Sequence, residues 1–271
     1  ESLPEGVARY MARVPFVLRL GHRYSSLQRT LHSNLPNREF AGEQLLQRLR
    51  ALVKHAAEQV PFYSQLYKES GVAAEDIRNW ADWNRVPVIT KSLLQAVPLQ
   101  DRTTRAGKGL LLNTGGSSGQ TLQFMVDHGA FAREWAHMHH LWCARGYRPS
   151  HLKLTLRGKR LENGQAVRYN AVHNELIANA NVPVAVIADA VLARRNLVPV
   201  RWIHGYPSLV AEFAVACEQR RERGEFASFR AGLYGVLLGS EFPAPAYRSV
   251  IERVLTVNTV SWYGHSEMAV L

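Results

Sequence analysis

VRWIHGYPSLVAEFAVACEQRR, residues 200–221, is the stretch that decides the fold class. Val200 to His204 is a short run rich in β-branched and aromatic residues, the composition of a buried strand. Gly205-Tyr206-Pro207-Ser208 breaks it, and Leu209 to Arg221 then carries its apolar residues at helical spacing. The same alternation continues on both sides. Leu152–Leu156 and Val182–Ile187 read as strands before it. Tyr234–Leu238 reads as a strand, Tyr247–Leu255 as a helix and Val257–Trp262 as a strand after it. Strands and helices alternating from residue 150 onward predict an α/β protein, with layered sheets and packed helices.

Upstream of residue 150 the pattern is more helical. Leu45, Leu46, Leu49, Leu52, Val53, Ala56, Ala57 and Val60 make one apolar stripe, and Pro61 ends that helix. A short helix then runs to Gly71, a glycine suited to a C-cap. Trp80 to Thr90 reads as a connector. Gly109–Asn113 and Thr121–Val126 read as strands on either side of a Gly/Ser/Thr loop. Asp127 suits the N-cap of a helix to about Ala144, with Phe131, Trp135, Met138 and Trp142 on its inner face. Residues 1–36 form a separate basic, partly amphipathic segment that either packs on the body or lies on a membrane surface. Residues 37–271 form the main domain.

Composition bounds the partners. The chain has 271 residues, 46% of them hydrophobic, enough for a substantial core. Lys and Arg total 33 against 22 Asp and Glu, a net charge of +11. Six of the basic residues are Lys, so 33 − 6 = 27 are Arg, whose planar fork suits phosphate. That excess favours nucleotides, coenzyme A, nucleic acid or anionic lipid. The arginines are scattered, and no RNA-recognition or zinc-finger spacing is present, which argues against nucleic acid. Two cysteines without a CxxC pair point to a reducing, cytoplasmic compartment. No run of 18 apolar residues predicts a transmembrane helix. His137, His139 and His140 lack a further ligand at useful spacing and predict no metal site. The chain opens at Glu1 and stops in an apolar stretch, Ala269-Val270-Leu271, which reads as a processed or trimmed protein.

Four short segments carry chemistry. Thr114-Gly115-Gly116-Ser117-Ser118-Gly119 has three glycines, whose successive amides can form a nest for anions, and three hydroxyls. It lacks the Gly-Lys-Ser/Thr ending of a Walker loop. Tyr263-Gly264-His265-Ser266-Glu267 follows an apolar strand, and its Glu can bind Mg²⁺ through a carboxylate oxygen. Gly239-Ser240-Glu241 and Gly205-Tyr206-Pro207-Ser208 also lie at strand ends, where ligands meet α/β sheets. Taken singly, each also reads as an ordinary turn, and Ser208 as the N-cap of the following helix.

In order, these segments resemble the adenylate-forming superfamily. Thr114–Gly119, with Leu122 and Phe124 after it, looks like its phosphate-binding loop, and Tyr263–Glu267 its aromatic-Gly-x-Ser/Thr-Glu motif. Gly205–Ser208, Val60-Pro61-Phe62-Tyr63 and Pro87-Val88-Ile89-Thr90-Lys91 resemble the phenylacetate–coenzyme A ligase branch, including its relatives in capsular polysaccharide biosynthesis. The resemblance spans residue 40 to the end. It implies the fold of that superfamily's large N-terminal domain, without the small C-terminal domain and its catalytic Lys. It implies ATP and Mg²⁺ as cofactors and a carboxylic acid as substrate, with coenzyme A, an amine or a carrier-protein thiol as acceptor. Thr114, Gly115, Gly116, Ser117, Ser118 and Gly119 would cradle the β- and γ-phosphates. Gly239, Ser240 and Glu241 would border adenine, with Tyr263 stacked on it and Gly264 and His265 beside it. Ser266 would approach the α-phosphate and Glu267 would hold Mg²⁺. The acid would lie between Gly205-Tyr206-Pro207-Ser208 and the helix bearing Trp135 and His139. Gln120-Thr121 departs from the Lys or Pro common in that loop. A non-catalytic binding module on a degenerate ligase fold is the alternative.

Overall fold

The structure, a computed structural model, describes residues 7–11, 13–33, 38–104, 109–114, 121–194, 198–222 and 224–264. In chain order the first elements are α1 (Ala8–Met11), α2 (Phe16–Ser33), α3 (Arg38–Gln59), α4 (Pro61–Glu69), α5 (Trp80–Trp83) and α6 (Lys91–Ala96). They are followed by β1 (Leu110–Asn113), β2 (Gln123–Val126), α7 (Ala130–Cys143), β3 (Leu152–Leu156), β4 (Val167–Asn170) and β5 (Glu175–Ala178). The chain then runs through α8 (Val184–Leu192), β6 (Val200–Gly205), α9 (Pro207–Glu218), α10 (Gly224–Gly232), β7 (Gly235–Leu238), α11 (Pro245–Leu255) and β8 (Thr259–Ser261). Internal contacts group residues 1–32 with 131–271 as the larger unit and residues 33–130 as the smaller.

In the smaller unit the predicted stripe packs as expected. Val53 of α3, Tyr67 of α4, Ala74 and Ile77 form its buried core. Pro61 ends α3 and begins α4, since its fixed φ suits a first helical position and it has no N–H to leave unpaired. Within the connector read from Trp80 to Thr90, α5 forms because Asn79 and Asp82 cap each other reciprocally. β1 and β2 pair antiparallel, with Leu112 opposite Phe124.

The larger unit holds a six-stranded sheet of order β4-β5-β3-β6-β7-β8. β5, β3, β6, β7 and β8 run parallel, and β4 pairs antiparallel with β5 at the edge. Asn174 makes the turn into β5. It takes a left-handed φ of 47°, which Asn tolerates better than most residues, and its side chain bonds Tyr169 Oη and the Ser150 carbonyl. Val182–Ile187, read as a strand, is instead the start of α8, with Pro183 at its N-cap. A short, uniformly apolar run fits a buried helix as well as a strand.

Strand alternation divides the sheet into two different faces. Leu152, Leu154, Leu156, Leu176, Ile203, Val236 and Leu238 point to one side and pack under α8, α9, α10 and α11 as the main aliphatic core. Truncating one such buried Leu to Ala typically costs about 2–5 kcal/mol. Lys153, Thr155, Glu175, Trp202, His204 and Leu237 alternate with those residues and point the other way. That side is covered by α7 through Met138 and Trp142, and α2 in turn packs on α7 through Phe16, Tyr24 and Ala136. Buried polar side chains therefore concentrate on one face.

Gly205 ends β6 in register with Leu156 of the parallel strand β3. A Cβ there would lie 2.4 Å from the Leu156 carbonyl oxygen and 2.9 Å from Val210 Cγ2. Backbone cannot yield as a side-chain tip can, so Gly205→Ala should cost about 1–3 kcal/mol. A urea midpoint unchanged from the parent, followed in the larger unit, would count against so tight an approach.

Candidate functional site

The carboxyl ends of the parallel strands bring three of the four chemistry-bearing segments to one edge. β6 ends at Gly205, β7 leads into Gly239-Ser240-Glu241, and β8 leads into Trp262-Tyr263-Gly264. Gly239 N donates to the Gly205 carbonyl at 3.2 Å, and Tyr206 N donates to that of Leu156 at 3.1 Å. Glu241 Oε2 accepts from Ser208 N at 2.9 Å. That carboxylate caps the amino end of α9, where a negative charge is favoured. Ser208 is thus not the N-cap; Tyr206 holds that position, with Pro207 first in the helix.

Ser240, Glu241, Phe242 and Pro243 on one side, and Ser261 through Gly264 on the other, line a cleft of about 510 Å³. That is within the few hundred to 1,000 Å³ typical of small-ligand sites. Phe242 is 78% exposed and Tyr263 is 73% exposed, presenting two rings at the cleft. Gly239 directly precedes this lining. A Cβ there would lie 2.6 Å from Trp262 Cζ2, so glycine is what lets the indole lie against the strand end. Ser240 has φ of +67°, rare outside glycine, and Arg157 Nη2 donates to its Oγ at 2.7 Å. Strain held in place by a charged neighbour is a common mark of a binding turn.

Sequence reasoning missed Arg157. It follows β3 directly and brings a guanidinium to the cleft lining at Ser240. On α7, burial raises the Glu134 carboxyl, while Arg157 pulls it down again. The available signal was its position, one residue past the end of a buried parallel strand, which only the sheet order makes meaningful.

Of the glycine-rich segment, Thr114 is described and belongs to the smaller unit. Its N–H donates to the Leu122 carbonyl at 2.9 Å and its Oγ1 accepts from Leu122 N at 2.9 Å, which closes the base of the β1–β2 loop. The strands expected on either side of this segment are present as β1 and β2. Gly115, Gly116, Ser117, Ser118 and Gly119 lie outside the described residues, as do His265, Ser266 and Glu267.

Trp135 and His139 do not line the cleft. They lie in the polar layer between the sheet and α7. Trp135 stacks on His173 at 4.2 Å, with Lys153 Nζ 5.3 Å from the indole centroid. His139 is 1% exposed, and its Nδ1 pairs with Tyr24 Oη at 2.8 Å. Beside them Lys153 Nζ donates to the His173 carbonyl at 2.9 Å and lies 3.3 Å from Glu175 Oε2. The same carboxylate accepts from Thr155 Oγ1 at 2.6 Å and Asn170 Nδ2 at 3.0 Å. Burial would raise the Glu175 carboxyl, but Lys153, His173 and the Thr155 hydrogen bond outweigh it and hold it well below the carboxylate range. Burial and neighbouring cations push His139 and His204 well below 6.5 and His173 to about 4. His139 Nε2, both ring nitrogens of His204, Trp142 Nε1 and Tyr147 Oη have no hydrogen-bond partner among the described residues. No group of three or more metal-ligating side chains occurs among the described residues, and no described helix is long and apolar enough to cross a membrane.

The fold has known counterparts. It is similar to a 2-hydroxyisobutyryl-CoA ligase in an open conformation, in complex with 2-HIB-AMP and CoA. There the TM-score is 0.65 at 19% identity, covering 87% of this chain and 56% of that one. The same ligase in the postadenylation state with 2-HIB-AMP gives 0.66 at 19% identity, covering 87% and 50%. The chain thus spans about half the length of these ligases. The mixed α/β architecture with a mostly parallel sheet, expected from the large N-terminal domain of adenylate-forming enzymes, is the fold they share. No protein-family model matches the sequence, and no curated protein is detectably similar to it.

Proposed function

We propose that this chain is the nucleotide- and acid-binding part of an ATP-dependent carboxylate ligase of the phenylacetate–coenzyme A ligase type. A substrate carboxylate oxygen attacks the α-phosphorus of ATP, the bond to the bridging oxygen breaks, and pyrophosphate leaves. The thiol of coenzyme A then attacks the acyl carbon and AMP leaves. The observation that carries this reading is the strand-end cleft, where the Gly239–Glu241 and Tyr263–Gly264 segments meet and are tied to Gly205–Ser208.

Residue roles in this reading draw on the cleft lining and on the family resemblance. The cleft of about 510 Å³ suits a nucleoside monophosphate, with adenine between Phe242 and Tyr263. Arg157 holds Ser240 and adds positive charge at that edge. By the resemblance, Thr114 through Gly119 would supply amides and hydroxyls for the terminal phosphates, Ser266 would lie by the α-phosphate, and Glu267 would hold Mg²⁺, whose charge would offset that of the departing pyrophosphate. The protein contributes chiefly positioning and charge neutralisation. Free Cys143 and Cys217 suit a reducing cytoplasm.

Pyrophosphate exchange into ATP tests the proposal, using the full-length gene product, Mg²⁺ and a panel of carboxylic acids. One acid should support exchange, Tyr263→Ala should weaken it about tenfold, and Glu267→Ala should abolish it. ATP binding without exchange for any acid would instead favour a binding module on a ligase fold.

A further inference from the structure

The first 33 residues carry a surface that the ligase reading does not use. Between Glu5 and Glu39 the sequence has six arginines and no acidic side chain. A helix face needed only for solubility ordinarily mixes both signs. The inward side of α2 is already committed. Phe16, Leu20, Tyr24, Leu27 and Leu31 recur at steps of four, four, three and four, and pack with Ala136 and Trp135. The Arg19 guanidinium is held by the Ala171 and Val172 carbonyls at 3.1 and 3.2 Å.

What remains faces outward. Leu18 is 76% exposed, Tyr10 70% and Val17 45%. Single exposed apolar residues need no explanation, but Val17 and Leu18 are adjacent at the start of α2 and Tyr10 lies on α1 just before it, and Arg13, Arg23 and Arg29 on the same short stretch are exposed as well. Gly21, at φ +79°, kinks α2 between the apolar and the more basic part. Bulky apolar side chains beside arginines, without carboxylates, form the pattern of a helix lying in a membrane interface. A nucleic-acid backbone would attract the arginines but gain nothing from Leu18 or Val17.

We propose that this outer face of α1 and α2 docks on an anionic phospholipid bilayer. Tyr10, Val17 and Leu18 enter the headgroup boundary while Arg13, Arg23 and Arg29 meet lipid phosphates. This inference does not depend on the ligase reading.

Co-sedimentation of the whole chain with vesicles tests it, comparing pure phosphatidylcholine with a 70:30 mixture of phosphatidylcholine and phosphatidylglycerol. Anionic vesicles should bind at least tenfold more protein. The triple change Arg13→Glu, Arg23→Glu, Arg29→Glu should remove that gain, since each basic residue near such a surface contributes about fivefold. Val17→Asp with Leu18→Asp should weaken binding tenfold or more, and the milder Leu18→Ser should weaken it measurably. These side chains face outward, so circular dichroism of the variants should match the parent. Equal binding to both vesicle types, or none to either, overturns the proposal. So does binding insensitive to Val17 and Leu18 but competed away by duplex DNA, which would identify a general polyanion surface.

Discussion

Acidification from pH 7 to pH 5 should destabilise the larger unit, by about 2 kcal/mol through His173 alone, against the 5–15 kcal/mol that a folded protein usually has. The cause is the polar layer. His139, His173 and His204 are held neutral by burial and by the cations around them, while in the unfolded chain each titrates near 6.5. Below that value the unfolded state binds more protons, so stability falls as pH falls. By pH 5 the neutral His173 costs about 2 kcal/mol by linkage, and His139 and His204 act in the same direction. Glu175 does not contribute in this window. Its carboxyl is depressed in the folded state, so its stabilisation is lost only below the ordinary carboxylate range, near pH 4.5. Glu134 acts in the opposite sense, because burial raises its carboxyl, but it is one group against three. Urea midpoints at pH 7, 6 and 5, read by hydrogen exchange of β3 and β6, measure the effect. A midpoint that does not move would mean that these histidines are solvated or charged in the native protein.

Glu175→Ala should destabilise the larger unit by about 3–5 kcal/mol at neutral pH, because it leaves the fully buried Lys153 ammonium without its counter-charge. Thr155 and Asn170 lose an acceptor by the same change. Removing both charges together should do much less harm, since a well-packed apolar pair of similar volume can replace a buried ion pair at little cost. The double variant Lys153→Met, Glu175→Leu should therefore recover most of the loss. Urea unfolding at pH 7.5 gives both values. Equal losses in the single and the double variant would show that volume and hydrogen bonds, not the uncompensated charge, dominate there.

How much of this was legible in the sequence depends on where each element finds its partners. β3, β6 and β7 were readable because their apolar runs are bounded by turns, and their ends at Gly205 and Gly239 followed from chain order alone. The polar layer was not. Leu-Lys-Leu-Thr-Leu, residues 152–156, has the alternation of a strand with one wet face. Lys153 and Thr155 are buried only because α7, from earlier in the chain, covers that face. β4 and β5 were missed because asparagines punctuate that stretch like loop residues, yet Asn174 and Asn179 satisfy buried backbone groups and shape turns there. α8 was mistaken for a strand because apolar residues lie on nearly every side of it. The placement of Trp135 and His139 away from the cleft likewise depends on how α7 crosses the sheet, which no local pattern records.

The hydrogen bonds from Arg19 to the carbonyls of Ala171 and Val172 join residues 152 and 153 positions apart. A ribosome adding 5–20 residues per second needs roughly 8–30 s to cover that distance. In that interval α2 has left the exit tunnel with its inward row of Phe16, Leu20, Tyr24, Leu27 and Leu31 still uncovered, while the residues of α7 and of the turn between β4 and β5 that it will meet have not all been made. Chain order therefore makes the seating of α2 a late event in biosynthesis. A nascent chain of this protein passes through a period in which both faces of α2 are open to whatever lies near the ribosome.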